Sequence, residues 1–234
     1  MLKFSPANTK LQKLQKKIGK KVYSLDLQAG VSCPFAMDCK SMVVEKDGKL
    51  TIKDGKYTQF RCYAASGEAL YTLTYRQHRH NYLTIKKAKT VKQIKKLILE
   101  SMPHDAKVIR LHSSGDFFTE SYFRAVLEVC KETPHIRWYG YTKAIPYLVK
   151  YTLPKNLRLV ASYGGKHDHQ IDENNLVSCK VVYSKNEAKK EKLPIDKNDY
   201  LCYNASRKFA VLIHGMQPKG SPAMKAVTQL RAKK

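Results

Sequence analysis

From Ala106 onward, strand-sized apolar runs alternate with helical runs, and this rhythm restricts the fold more than any other feature. AKVIRLH (106–112), HIRWYGYT (135–142), NLRLVASY (156–163), NLVSCKVVY (175–183) and RKFAVLIHG (207–215) read as strands. TESYFRAVLEVCKE (119–132), IPYLVKYTL (145–153) and SKNEAKKEK (184–192) read as helices. Strands that alternate with helices imply parallel βαβ units. The expectation is a single α/β domain over 1–234, barrel-like and TIM-type, complete or incomplete. A doubly wound open sheet is the alternative.

The first half is less regular. NTKLQKLQKKIGK (8–20) reads as a basic helix, with Asn8 as cap and Leu11, Leu14 and Ile18 on one face. VYSLDL (22–27) alternates like a strand. Residues 43–60, with two Asp-Gly-Lys turns around LTI, read as an inserted hairpin. A helix is expected over 64–85, with Tyr71, Tyr75, His78 and Tyr82 on one face beside Arg76, Arg79 and His80. Such a stripe suits base stacking, although aromatic stripes at helical spacing more often face a core. Residues 90–100 make another amphipathic helix, with Val91, Ile94 and Ile98 inward.

Charge indicates the partner class. Forty-four Lys and Arg against nineteen Asp and Glu give +25, a field that attracts polyanions. Nucleic acid or a nucleotide is the expected partner, and an acidic face of a host protein is another. No run is long and apolar enough for a membrane span, and no apolar segment follows the first lysines as in a secretory signal. A cytoplasmic, reducing location is therefore expected, the host cytoplasm if the chain is phage-encoded. There, six cysteines are thiols or metal ligands rather than disulfides.

In α/β architectures reactive groups gather at the carboxyl ends of the strands. Here those ends carry His112, Ser113, Ser114, Gly115 and Asp116; then Tyr141, Thr142 and Lys143; then Ser162 to His169; and finally His214 and Gly215. His112, Ser114, Asp116 and Lys143 are the catalytic candidates, with Asp116 as acid or base and Lys143 holding an anion. Ser113, Gly115, Tyr141, Thr142 and His214 are cofactor-binding candidates. The plain alternative for Asp116 is a helix cap, and for Lys-His-Asp-His at 166–169 a solvated loop. G-x-S-x-G, G-x-x-x-x-G-K and G-x-G-x-x-G motifs are absent.

Cys130 reads as a core thiol and Cys179 as a strand residue, whereas Cys33, Cys39 and Cys62 lie in loops. Three loop thiolates suit an iron–sulfur cluster, with zinc as the alternative, although the spacing matches no zinc ribbon. Cys202 is the candidate fourth ligand, with His214 or His112 behind it. The competing reading is three reduced thiols without metal.

CPFAMDC, CYA, VIRLHSSGDFFTESYF, WYGYTKAIPYL, LPIDKNDYLCY and FAVLIHGMQPKGS occur in this order. Together they resemble the phage gene product 88 family, first grouped from mycobacteriophages, over about Ser24 to Ser221. The resemblance implies that Cys33, Cys39 and Cys62 form one group. It implies a second of His112, Ser114, Gly115, Asp116, Tyr141, Thr142 and Lys143, and it prescribes no reaction. The 43–60 insertion is longer than the family's link, and a single C-terminal cysteine stands where some relatives carry more. The C-x-x-x-C-x-x-C spacing of radical S-adenosylmethionine enzymes is absent. The resulting expectation is a metal-binding α/β protein acting on a nucleotide or nucleic acid. A non-enzymatic nucleic-acid-binding or host-takeover protein with a structural metal is the alternative.

Overall fold

The computed structural model describes residues 1–232. The chain runs β1 (Ser5–Pro6), α1 (Thr9–Ile18), β2 (Val22–Leu25), β3 (Ser41–Lys46), β4 (Lys49–Asp54), α2 (Tyr63–Leu70), α3 (Thr72–Lys87) and α4 (Val91–Ser101). It continues with β5 (Val108–Leu111), α5 (Glu120–Glu132), β6 (Arg137–Thr142), α6 (Ile145–Lys150), β7 (Leu157–Ser162), α7 (His169–Glu173) and β8 (Ser178–Val182). Last come α8 (Lys185–Lys190), α9 (Tyr200–Asn204), β9 (Phe209–Leu212) and α10 (Pro222–Ala232).

Seven strands form one sheet in the order β1-β2-β5-β6-β7-β8-β9. Only β1 pairs antiparallel; every later neighbour is parallel. From β2 to β9 spatial order follows chain order, so each crossover steps one strand in the same direction. A doubly wound sheet instead reverses direction at a switch point. That alternative therefore does not hold, and the sheet is a sequential, mostly parallel one. The row ends at β1 and β9, and among the described residues no strand pair joins these ends.

Side-chain alternation gives the sheet two differently covered faces. Ile109, Leu111, Trp138, Leu157 and Leu159 pack with α3, α4 and α5 residues such as Ile85, Ile98 and Phe123. On the other, inner face, Val108, Tyr139, Val160, Cys179 and Phe209 meet Leu11 and Leu14 of α1 and Cys202 of α9. The functional cavity lies on this inner face.

Helix α1 matches its sequence pattern. Asn8 Oδ1 accepts from the amides of Lys10 at 3.1 Å and Leu11 at 3.0 Å, and Gly19 ends the helix in the left-handed region. The hairpin forms as β3 and β4, starting two residues before the expected boundary; Asp47 and Gly48, both at positive φ, make its turn. The expected 64–85 helix is broken at Tyr71, which is extended between α2 and α3. Tyr75, His78 and Tyr82 are buried and only Tyr71 projects, so the aromatic stripe is core and not a stacking face. Removing the α1 cap with Asn8→Ala is expected to lower stability by about 1 kcal/mol, read from urea unfolding.

Candidate functional site

A cavity of about 450 Å³ opens at the carboxyl ends of the strands on the inner face. His112, Ser113, Ser114, Gly115, Asp116, Tyr141, Thr142, Lys143 and His214 line it, together with Cys33, Cys39 and Cys62. Cys202 does not. It is fully buried in α9 and packs in the apolar cluster with Leu11, Leu14 and Tyr139.

Backbone hydrogen bonds bring the three cysteines to the wall of this one cavity. The amides of Met37 and Asp38 both donate to Gly164 O, at 3.0 and 3.1 Å, and the Lys166 amide donates to Phe35 O at 2.9 Å. The cysteine loop is thereby docked on the end of β7. Asp168 fixes that platform by accepting from the amides of Gly164 and Gly165 at 2.8 and 2.9 Å. The Lys166–His169 stretch thus supports the loop, and the His167 ring packs against Phe35.

The hairpin returns the chain to the same point. Gln59 and Phe60 amides donate to Asp38 O, and the Gly55 amide donates to Lys40 O at 2.6 Å. Cys62 follows at the start of α2. Lys40 Nζ donates to Gly30 O at 2.7 Å and to Cys33 O at 2.5 Å, which closes the loop under an ammonium group.

All three cysteines are free and half-buried. Burial pushes the Cys33 thiol well up, and Asp116, Cys62 and Cys39 act in the same direction. Burial and then Cys39 push Cys62 up to about 12. The thiols therefore repel one another's ionisation. Among the described residues, no three His, Cys, Asp or Glu side chains converge closely enough to make a ready-formed metal site.

The HSSGD loop is tightly held. Asp116 accepts from the Phe117 amide at 2.8 Å, Thr142 Oγ1 at 2.7 Å and the Lys143 amide at 2.7 Å. Burial raises its pKa, and those hydrogen bonds offset the rise only in part. Its carboxylate thus fastens the β5 loop to the end of β6. Ser114 Oγ donates to Glu68 at 2.8 Å, committing the hydroxyl to the core. Glu68 also accepts from the Ala29 amide and meets the His78 ring, each at 2.9 Å. Gly115 has φ +88°, and a Cβ there would lie 2.5 Å from Ser32 Oγ and 2.7 Å from Leu27 Cβ.

His112 adopts φ +60°, a strained conformation for a residue other than glycine. Its Nε2 lies 2.9 Å from Tyr122 Oη, while the buried Nδ1 has no partner. Burial and then Arg110 lower its pKa to about 3, so the ring is neutral at pH 7. His214, lowered to about 4 chiefly by burial, is neutral as well and lies against Tyr63 with ring centroids 4.5 Å apart. Lys143 Nζ donates to Ser162 Oγ at 2.6 Å. Burial pulls its ammonium down, but Cys39, Cys179 and Asp116 outweigh that and its pKa is raised.

Sequence reasoning missed a buried ion network at the opposite wall. Arg110 Nε donates to Asp199 Oδ2 at 2.9 Å, and Lys10 Nζ meets Asp199 Oδ1 at 2.5 Å. Tyr141 Oη donates to the same carboxylate at 3.3 Å, and the Arg110 guanidinium lies 4.6 Å from the Tyr141 ring centre. An arginine inside the apolar run VIRL was the available signal. Asp199 carried none, because its partners lie on β5 and α1.

The fold and site define an α/β protein with a sequential parallel sheet, whose strand ends and cysteine loops share one cavity. The chain belongs to the gene product 88 family, whose family model matches residues 2–233. No curated protein and no solved structure matches the chain.

Although burial raises its pKa, Arg110 and Lys10 outweigh this and bring Asp199 down to about 2, below the usual range for an aspartate. A depressed carboxylate contributes stability above its unfolded pKa and loses it as pH falls through the folded pKa. Between pH 4 and 2, wild type is expected to lose most of its stability advantage over Asp199→Asn. Urea midpoints of both proteins at pH 7 and pH 2.5 check this.

Proposed function

We propose that this chain is a phage-type metal protein holding an iron–sulfur cluster, or alternatively zinc, on Cys33, Cys39 and Cys62. Its sheet would curve as a partial barrel, and the adjoining cavity would serve an enzyme acting on a nucleotide or nucleic acid. The observation that carries the reading is the convergence of the three cysteines, from two loops separated by a hairpin, on the cavity that collects the strand-end residues.

The donor set fits such a group. Mutual repulsion of neighbouring thiolates becomes attraction when a cation sits among them, and metal binding then displaces their protons. Lys143 and Lys40 supply positive charge beside the thiols, as an anionic thiolate cluster requires. Three cysteine ligands would leave one iron position open, and a bound cluster would supply redox-active iron facing the cavity. His112 offers a ring nitrogen, Nδ1, that has no partner in the protein, Lys143 would be an anion partner, and Asp116 and Ser114 hold the loop that carries His112.

Protein isolated without oxygen is expected to contain iron and acid-labile sulfide and to absorb in the visible. Cys33→Ala, Cys39→Ala and Cys62→Ala should each abolish this, whereas Cys130→Ala should not. Zinc without iron selects the alternative, and wild-type protein without either metal overturns the reading.

A second reading, a nucleic-acid-binding protein with a structural metal, is favoured by the exposed Lys13, Lys16, Lys17 and Lys20 around α1. It predicts affinity for single- or double-stranded DNA or RNA that falls steeply with salt. Binding indifferent to salt, measured by fluorescence anisotropy, would count against it.

A further inference from the structure

Of the charged groups lining the cavity, Arg61 is matched by Asp54, with Nε 2.9 Å from Oδ2. The opposite wall is not balanced in this way. Among the described residues, Asp199, 3% exposed, is the one carboxylate within ion-pair distance of both Lys10 and Arg110. Two cations against one carboxylate leave one positive charge uncompensated. Arg110 is buried and Lys10 is partly exposed, so an anion that enters the cavity meets a net positive wall where solvent screens it less than in bulk water. Arg110 and Lys10 both line the cavity, as does His112, whose buried Nδ1 has no partner.

The rest of the cavity indicates what the anion is attached to. Tyr63 and His214 stand together at its wall, with ring planes 41° apart, and Tyr63 is 43% exposed. Tyr63 Oη donates to Ser113 O, which anchors this ring to the HSSGD loop. Phe60 and Tyr141 add further aromatic surface. Aromatic faces of this kind accept the flat face of a nucleobase by stacking. A cavity of about 450 Å³ lies within the ordinary range for small-molecule sites.

We propose that the Lys10–Asp199–Arg110 wall binds the single anionic group, phosphate or carboxylate, of a nucleoside-bearing small molecule whose base lies against Tyr63 and His214. Lys143 is not needed for this role, because its Nζ is held by Ser162 Oγ at the end of β7. The inference deepens the proposed function by naming the ligand class. It rests on reading this cavity as a substrate site, and not on the metal.

The test is calorimetric titration of the full chain, as isolated without oxygen and after chelation, with adenosine monophosphate, adenosine-5′-carboxylate, adenosine and inorganic phosphate. At least one nucleoside anion is expected to bind about tenfold or more tighter than adenosine. The tighter of the two tells phosphate from carboxylate. Lys10→Met, which leaves a neutral Arg110–Asp199 pair, should erase that preference, and Lys10→Arg should keep it. Lys10 is partly exposed on α1, and circular dichroism of both variants reports whether the helix is intact.

Equal binding of adenosine and both anions, no binding of any probe, or an unchanged preference in a folded Lys10→Met would overturn the proposal. Inorganic phosphate binding as tightly as the nucleotide would overturn its nucleoside part. Iron content measured on the same samples separates the two readings. Metal-free wild type that keeps the preference removes only the cluster, and iron-loaded protein without the preference removes only this site.

Discussion

The Asp199 carboxylate joins three parts of the chain that sequence keeps far apart. It sits at the start of α9, its first partner is on the second parallel strand β5, and its second is on α1. An arginine inside a parallel strand would otherwise leave a charge in the core. Removing one partner of such a buried pair costs far more than the intact pair contributes. The inner face can therefore carry Arg110 only if α1 and α9 both lie across it. Leu11, Leu14 and Cys202 supply the apolar contact that keeps them there. The cavity occupies the space between that cover and the strand ends.

A second constraint acts at the cysteine loop. Its amides are satisfied by the Gly164 carbonyl, and Asp168 holds the glycine turn that presents this carbonyl. A Cβ at Gly164 would come within 3.1 Å of Asp38, so a residue without a side chain permits the close approach. The inserted hairpin has a comparable purpose. It projects from the docked loop, and its return strand is anchored on Asp38 and Lys40 carbonyls, so its length scarcely affects where Cys62 arrives. A longer link between Cys39 and Cys62 is thus compatible with the same three-thiol grouping.

Much of this was legible in the sequence. The strand–helix rhythm after Ala106 reported the parallel sheet because each strand and each covering helix repeats with its own period. The residues at HSSGD and YTK were legible because carboxyl ends of parallel strands converge whatever the loops do. The break at Tyr71 was not, since no proline or glycine stands there; Gly67 lies inside α2. The short α9 was hidden for a similar reason. Its start is Asp199 at positive φ, held by ion pairs from other elements and not by a local cap. The fourth-ligand assignment to Cys202 followed from loop-like composition around DYLCYN, but the aromatic residues there turn the thiol into the apolar cluster. Networks such as Asp199 with Arg110, or Glu68 with Ser114 and His78, join residues too distant in sequence for any periodicity to register.

The cavity's charge is arranged by position as well as by sum. At one end, Lys143 and Lys40 lie beside thiols whose ionisation the site itself discourages; at the other, Arg110 and Lys10 share one carboxylate. Thiols with raised pKa values stay protonated until a cation arrives, so the thiol end does not neutralise the opposite wall in advance. Asp116 makes no ion pair with that wall; its carboxylate is held at the end of β6 by Thr142 Oγ1 and the Lys143 amide. On the proposed reading each end would take its own counter-charge: a cation among the thiols and an anion against the Lys10–Arg110 wall. A chain of net charge +25 spends most of its lysines on solvated surface, yet here a few cations are buried where a ligand can complete them. If the proposed ligands bind, this separation would let a metal-bound group and a nucleoside anion share one cavity without either displacing the other.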